Sequence, residues 1–178
     1  MKISILRYLI SVATVLLSFC ANAQYDKIIT NGNDTIPCKI EESGVLGGYV
    51  YKYGQTEITT KRIKEFYNAY KTLWFRRVFF HHQVIFMKVL VRGKISIHES
   101  LGFTNGFQDV SWFASKNSDT VVSMQGGFFP RNGKRRKLFA SYLKDKKAVY
   151  DQYMEMPNPD AEGMLSFAKL YNASEPFK

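Results

Sequence analysis

The stretch GKISIHESLGFTNGFQDVSWFASKNSDTVVSMQGGFF, Gly93 to Phe129, decides how this chain is read. Three apolar-alternating runs follow one another in it with turn residues between them, and alternation at period two marks strands with one buried face. Ile95 and Ile97 point one way and Ser96 and His98 the other, while Val110, Trp112 and Ala114 oppose Asp109, Ser111 and Ser115. The turn Lys116, Asn117, Ser118, Asp119 leads into Thr120 to Gln125. The pattern predicts a β-meander.

Downstream the period changes. Leu138, Phe139, Tyr142 and Leu143 form an apolar helical face, as the 3.6-residue repeat requires. Val149, Tyr150, Tyr153 and Met154 repeat that spacing, either in a second helix capped by Asp145 or in one continuous helix. Pro157 ends it, and Asn158 followed by Pro159 opens a last helix with Met164, Phe167, Ala168 and Tyr171 on one face.

Upstream, Lys27 to Thr30 and Thr35 to Glu41 flank Asn31-Gly32, a hairpin signal. Ile36, Cys38 and Ile40 share one face, so the Cys38 thiol is expected to act as a small core hydrophobe. Pro37 lacks an amide hydrogen and points to an edge strand. Tyr49 to Tyr53 and Thr56 to Thr60 are further strands. Lys61 to Lys71 fits a helical stripe or an aromatic strand, Trp74 to Phe86 a strand or an irregular buried crossing, and Ile85 to Arg92 a short helix ended by Gly93. The fold expected is α+β: an N-terminal antiparallel β-lobe over 24–75, then a β-meander packed against C-terminal helices over 76–172 that forms one compact unit with that lobe, with 173–178 as a tail.

The first residues read as an address. Lys2 and Arg7 precede an apolar run from Leu9 to Phe19 and the small-residue pattern Ala21, Asn22, Ala23, which together make a secretory signal peptide over 1–23 with Gln24 as the first mature residue. The rival is a lipoprotein signal with Cys20 as the lipid-bearing residue, against which the bulky Phe19 stands. The expected location is the periplasm or the exterior. Cleavage leaves 155 residues, one domain's worth, and only Cys38, so no internal disulfide forms. Leu73 to Val91 is too interrupted by Arg76, Arg77, His81, His82 and Lys88 to span a bilayer.

The whole chain has 25 Lys and Arg against 15 Asp and Glu. Removing the two cations of the signal leaves +8 for the mature form. Such a balance suits a protein partner, an acidic polysaccharide or an anionic lipid surface; for an exported protein, nucleic acid is not expected. Arg131, Lys134, Arg135, Arg136 and Lys137 are the densest cationic run and the candidate anion-binding residues.

Several segments carry a resemblance. Asn33 to Ile36, Cys38 to Ile40, Gly93 to Ser100, Phe139 to Met154 and the terminal Tyr171-Asn172 are similar to segments of a group of small exported proteins of unknown function common in Bacteroidota-type bacteria. The group's pattern expects Gly where Asn33 stands. The resemblance implies a shared fold and brings no functional residue with it.

No catalytic set emerges. His81-His82 and His98-Glu99 are sequence neighbours that a strand sends to opposite faces, so no metal site and no cofactor are expected. Ser100, Ser111 and Ser123 lack the glycine-flanked elbow of one large hydrolase class. Glu99, Asp109 and Asp119 all lie near the meander, and Glu99 shares parity with Ile95 and Ile97, as expected for a strand end reaching solvent. Aromatics interleaved with cations, among them Tyr51, Trp74, Arg76 and Arg77, are the raw material of a ligand platform. The expected function is a non-enzymatic envelope binding module, with a hydrolase of envelope or extracellular polymer as the alternative. A groove lacking convergent acids would favour the first, and a pocket joining Glu99 or Asp109 to a second titratable group the second.

Overall fold

A computed structural model describes residues 25–45, 48–104, 107–125, 132–157 and 160–173. Residues 1–24, 46–47, 105–106, 126–131, 158–159 and 174–178 lie outside the described residues, and with them the expected signal peptide, Arg131 and the Asn158-Pro159 cap. In chain order the strands are β1 (Asp26–Thr30), β2 (Thr35–Cys38), β3 (Ile40–Val45), β4 (Gly48–Tyr53), β5 (Thr56–Glu57), β6 (Ile63–Asn68), β7 (Leu73–Phe80), β8 (Gln83–Val91), β9 (Ile95–Thr104), β10 (Phe107–Lys116) and β11 (Val122–Gln125). The helices α1 (Asn132–Leu143), α2 (Lys147–Glu155) and α3 (Ala161–Ala173) follow. The fold is α+β.

Eight strands form one antiparallel sheet in the order β11-β10-β9-β8-β7-β6-β1-β2, and β3, β4 and β5 form a second, smaller sheet. The meander is therefore longer than the sequence pattern shows, running from β6 to β11. A division at residue 75 falls inside β7, and β1 and β2 continue the same sheet. Lys61 to Lys71 contributes a strand. So does the stretch proposed as a short helix after Ile85, because β8 has a hydrogen-bonded neighbour on each side and both ladders satisfy its backbone. His81 and His82 make the two-residue turn between β7 and β8, with φ of 44° and 65°, the left-handed pair that matches strand twist in tight hairpins.

The first hairpin forms as expected, but its left-handed residue is Asn33, at φ 69°, and not Gly32. Asn33 donates to the Thr30 carbonyl at 3.0 Å and Thr30 donates back to that of Asp34 at 2.9 Å. Asparagine tolerates this conformation better than other side-chain-bearing residues. Pro37 lies on β2, the last strand of the sheet, where its missing amide hydrogen breaks no ladder.

One face of the large sheet is covered twice. At the β9 to β11 end the three helices lay Phe139, Leu143, Val149, Tyr153, Met164, Phe167, Ala168 and Tyr171 on Ile95, Ile97, Ala114 and Met124. At the other end the small sheet lays Tyr51 and Tyr53 on Ile28, Phe66, Phe75 and Phe86. Phe66 stacks on Phe75 at 4.7 Å, and Tyr51 meets Phe66 at 4.8 Å.

The opposite face was expected to meet water at Ser96, His98 and Ser115, yet these are only 4%, 1% and 2% exposed. The reason is that the sheet curls until it meets itself. Phe79 of β7 donates to the Asp119 carbonyl at 2.8 Å and accepts from Val121 at 3.1 Å, so the segment before β11 bridges back to β7. The closed turn encloses Val78, Met87, Phe113 and Val121.

The helices α1 and α2 are separate, and Asp145 does not cap the second. Lys146 occupies the cap position without a side-chain capping bond, its ammonium donating instead to the Tyr171 carbonyl at 2.8 Å, while Asp145 accepts from Lys116 at 2.6 Å and from the Tyr171 hydroxyl at 2.8 Å. Met154, placed on the buried stripe by spacing, is 42% exposed because the face of α2 narrows to Val149 and Tyr153. The cap of α3 is Asp160, which accepts from Gly163 at 2.8 Å. A clamp joins the helical layer to the sheet: Asn172 accepts from the Ile95 amide at 3.1 Å and donates to the Ile95 carbonyl at 2.8 Å. A Cβ on Gly93 would overlap the Asn172 amide. Gly93 and Asn172, far apart in the chain, thus touch in space.

Candidate functional site

The two coverings of the large sheet leave a cleft of about 430 Å³ beside the small sheet. A single cross-strand row explains its floor. Ile36, Ile28, Phe66, Phe75, Lys88, Glu99 and Trp112 are register partners across seven strands, all on one face. Phe66 and Phe75 of this row pack under Tyr51, Ile36 at its outer end is 39% exposed, and the charged pair, Lys88 with Glu99, emerges where the small sheet ends. Lys88 donates to Glu99 at 2.8 Å, and Lys71 pairs with Glu42 across the opening. Glu57, Ser100, Leu73 and Phe86 complete the walls. Such a volume, mostly apolar with a few placed polar groups, is that of a small-ligand site.

Glu99 is therefore not a strand end reaching solvent. Strand β9 continues past it to Thr104, and the carboxylate turns into the cleft against a lysine. Asp109, the other acid expected near the meander, lies among residues whose side chains are not described. Asp119 reaches Arg76 at 2.7 Å on the opposite face.

On that opposite face Lys27, Tyr67 and Trp74 form a second cross-strand row through β1, β6 and β7. The Lys27 ammonium is 5.6 Å from the Tyr67 ring centre and 5.0 Å from that of Trp74, and the Arg92 guanidinium lies 4.3 Å from Trp74. Each such contact is worth about 0.5–1 kcal/mol when partly exposed, and it fixes a flexible cation in place. Arg92 also pairs with the buried Glu65, which Arg76 approaches at 3.6 Å.

The cationic run on α1 is not brought together as one surface. Lys134 and Lys137 are exposed; Arg135 is half-buried and engaged; Arg131 lies outside the described residues. Arg136 donates to the carbonyls of Met154 at 2.7 Å and Met156 at 2.9 Å, satisfying the open C-terminal end of α2.

Histidines divide between surface and interior. His81 and His82 sit exposed at a hairpin tip, whereas His98 is enclosed by the curled sheet with no partner for Nδ1 among the described residues. Burial pushes His98 down to about 4, the charge of Arg76 acting the same way and that of Asp119 opposing it. A neutral imidazole is the form that fits there. Cys38 packs at the border of the small-sheet core, where burial and then the charge of Asp26 raise its thiol pKa. Among the described residues no group of three His, Cys, Asp or Glu side chains is placed to hold a metal ion, and no helix is long and apolar enough to cross a membrane.

Sequence reasoning named Glu99 and Trp74 but missed Lys88, Lys71, Glu42, Lys27 and Arg92. Lys88 carried a signal: a cation with Phe86 and Val84 at its own parity demands a partner. Comparison with protein-family models, with curated proteins and with solved structures found no match.

Proposed function

We propose that this chain is an exported protein of the cell envelope that binds an acidic polysaccharide without transforming it. The observation that carries the reading is the row in which Lys27 and Arg92 both lie over Trp74 and Lys27 also lies over Tyr67. Aromatic rings hold both cations in place before a ligand arrives, which lowers the ordering cost of binding an anion. Sugar rings against the aromatic edges and carboxylates against the cations would use both halves of the row. The positive balance of the chain, 25 cations against 15 acids, adds long-range attraction. The signal-like first residues and the resemblance to small exported proteins support the location.

The test is binding to immobilised polygalacturonate at low and high salt. Replacing Lys27 and Arg92 together by Gln should weaken binding about tenfold at low ionic strength, and added salt should reduce the parent's affinity. Lys134→Gln with Lys137→Gln should matter less, since among the described residues no aromatic ring supports those two cations. Equal loss from both pairs would place binding in net charge alone. Preference for anionic lipid vesicles over the polysaccharide would move the ligand to a membrane surface.

A hydrolase acting on envelope or extracellular polymer is the second reading, favoured by one observation: the cleft gathers Glu42, Glu57 and Glu99. Against it, Glu42 and Glu99 are each held by a lysine, so neither stands free to face a second carboxyl across a scissile bond. Release of reducing ends that disappears in Glu99→Gln would establish it.

A further inference from the structure

A second cleft, also of about 430 Å³, opens toward the other end of β7 from Trp74 and is lined by Thr60, Lys61, Arg77, Phe79, Val84 and Asp119. Arg77 is the unusual group in it. Two other arginines show what a guanidinium on this sheet ordinarily finds: Arg76 meets Glu65 and Asp119, and Arg92 pairs with Glu65. Arg77 is half-buried, yet among the described residues it meets no carboxylate, and its one bond runs from Nη1 to the Asn31 side-chain oxygen at 2.8 Å. That bond fixes the group and leaves the parallel Nε and Nη2 donors open. The amide of the same Asn31 side chain donates to the Lys61 carbonyl at 2.8 Å, and Lys61 too pairs with no described carboxylate. Asp119, the one acid of the lining, is engaged by Arg76 at 2.7 Å. Beside these cations Phe79 and Val84 are register partners across β7 and β8, left 41% and 44% exposed.

Unpaired cations next to a bare apolar step have a definite chemical preference. The parallel Nε and Nη2 donors of a guanidinium match the two oxygens of a carboxylate, and an apolar stem laid on Phe79 and Val84 would remove both from water. A cation would be repelled by Arg77 and Lys61. A neutral ligand would leave the guanidinium unmatched. We infer that this cleft binds a small organic carboxylate borne on an apolar stem, with Arg77 as the fork, Lys61 as a second charge, and Phe79 with Val84 as the seat of the stem. Asn31 prepares the site, because one carboxamide holds both the Arg77 head and the Lys61 backbone and so lowers the ordering cost of binding. No residue of the Lys27 row takes part, so either site can fail without the other.

The experiment is titration of the labelled protein with 3-phenylpropionate, acetate and 2-phenylethanol, followed by amide chemical shifts. 3-Phenylpropionate should give saturable shifts confined to residues lining this cleft, with acetate and the alcohol each weaker by about fivefold or more. Arg77→Gln should weaken 3-phenylpropionate about tenfold, the low end for hydrogen bonds between charged groups, and leave the alcohol unchanged. Arg77→Lys keeps the charge and loses the fork, so it should bind no more than about threefold better than Arg77→Gln. Phe79→Thr should weaken 3-phenylpropionate and leave acetate unchanged. Replacing Lys27 and Arg92 together by Gln should leave all three probes as they were. The inference is overturned if acetate or the alcohol binds as well as 3-phenylpropionate, if Arg77→Lys binds as the parent does, or if the Lys27 and Arg92 replacement removes the shifts.

Discussion

The same sheet face is covered by helices at one end and by a three-stranded sheet at the other, and the two coverings behave differently. Under the helices Phe139, Leu143, Tyr153, Ala168 and Tyr171 are shut off from water. Their 3.6-residue repeat gives each helix a continuous apolar stripe that lies flat on the strands. Under the small sheet Tyr51, Tyr53, Phe75 and Phe86 are only partly buried. A strand offers the core only every second residue, and β5 is two residues long, so the covering stops short and leaves a gap that ion pairs rim. Sealing produces stability; an incomplete seal leaves a cleft.

The largest expected effect tests that contrast directly. Phe139→Ala should cost about 3–5 kcal/mol, the usual range for an enclosed aromatic, and Tyr51→Ala less than half as much because water already reaches its surroundings. Urea denaturation with unchanged m-values would measure both. Equal losses would show that the cleft is as tightly packed as the helical layer.

A pH profile sharpens the comparison by separating the curled interior from the helical end. His98 is held at about 4 against an ordinary 6.5, so the unfolded chain binds a proton that the folded one refuses. The stability tied to the neutral ring is complete above pH 6.5 and is lost as pH falls toward 4, a change on the order of 3 kcal/mol. His98→Gln should flatten that window. Asp145 acts in a more acidic one. Burial works to raise its carboxyl, but hydrogen bonds from Lys116 and Tyr171 and the Lys116 charge bring it to about 2. Its contribution is present above pH 3.8 and disappears as pH approaches 2.

The smallest effect carries the opposite sign. The Tyr153 hydroxyl is buried without a hydrogen-bond partner among the described residues. Tyr153→Phe should therefore raise stability by up to about 1 kcal/mol, read as a higher denaturation midpoint. A loss would reveal a partner for that hydroxyl.

Local periodicity made much of this fold legible. Period two in Ile95 to Ala114 and the helical stripe through Met164, Phe167, Ala168 and Tyr171 each reflect a geometry that few residues suffice to express. The strand at Ile63 to Asn68 was ambiguous because its Phe66 and Tyr67 satisfy either period over so short a span, and pairing with β1 and β7 settles it. The candidate sites were less legible for a different reason. Lys88 meets Glu99, and Lys27 meets Trp74, only once strand register is set, and register is a relation between segments that no single segment encodes. The burial of His98 likewise follows from the meeting of Phe79 with Thr120, a closure that the strand pattern leaves open.

The Asn172 clamp also bears on how fast the molecule assembles. Its bonds to Ile95 join positions 77 residues apart, and the bond to the Arg92 carbonyl spans 80. Contacts so distant along the chain bring ordering entropy with little return until both layers exist, so they belong to the late side of the folding barrier. The meander can collapse before this amide arrives. Once docked, the amide acts as a latch on the native state: it slows escape far more than it speeds entry, and the lifetime of the folded molecule depends on it more than the rate of reaching that state does.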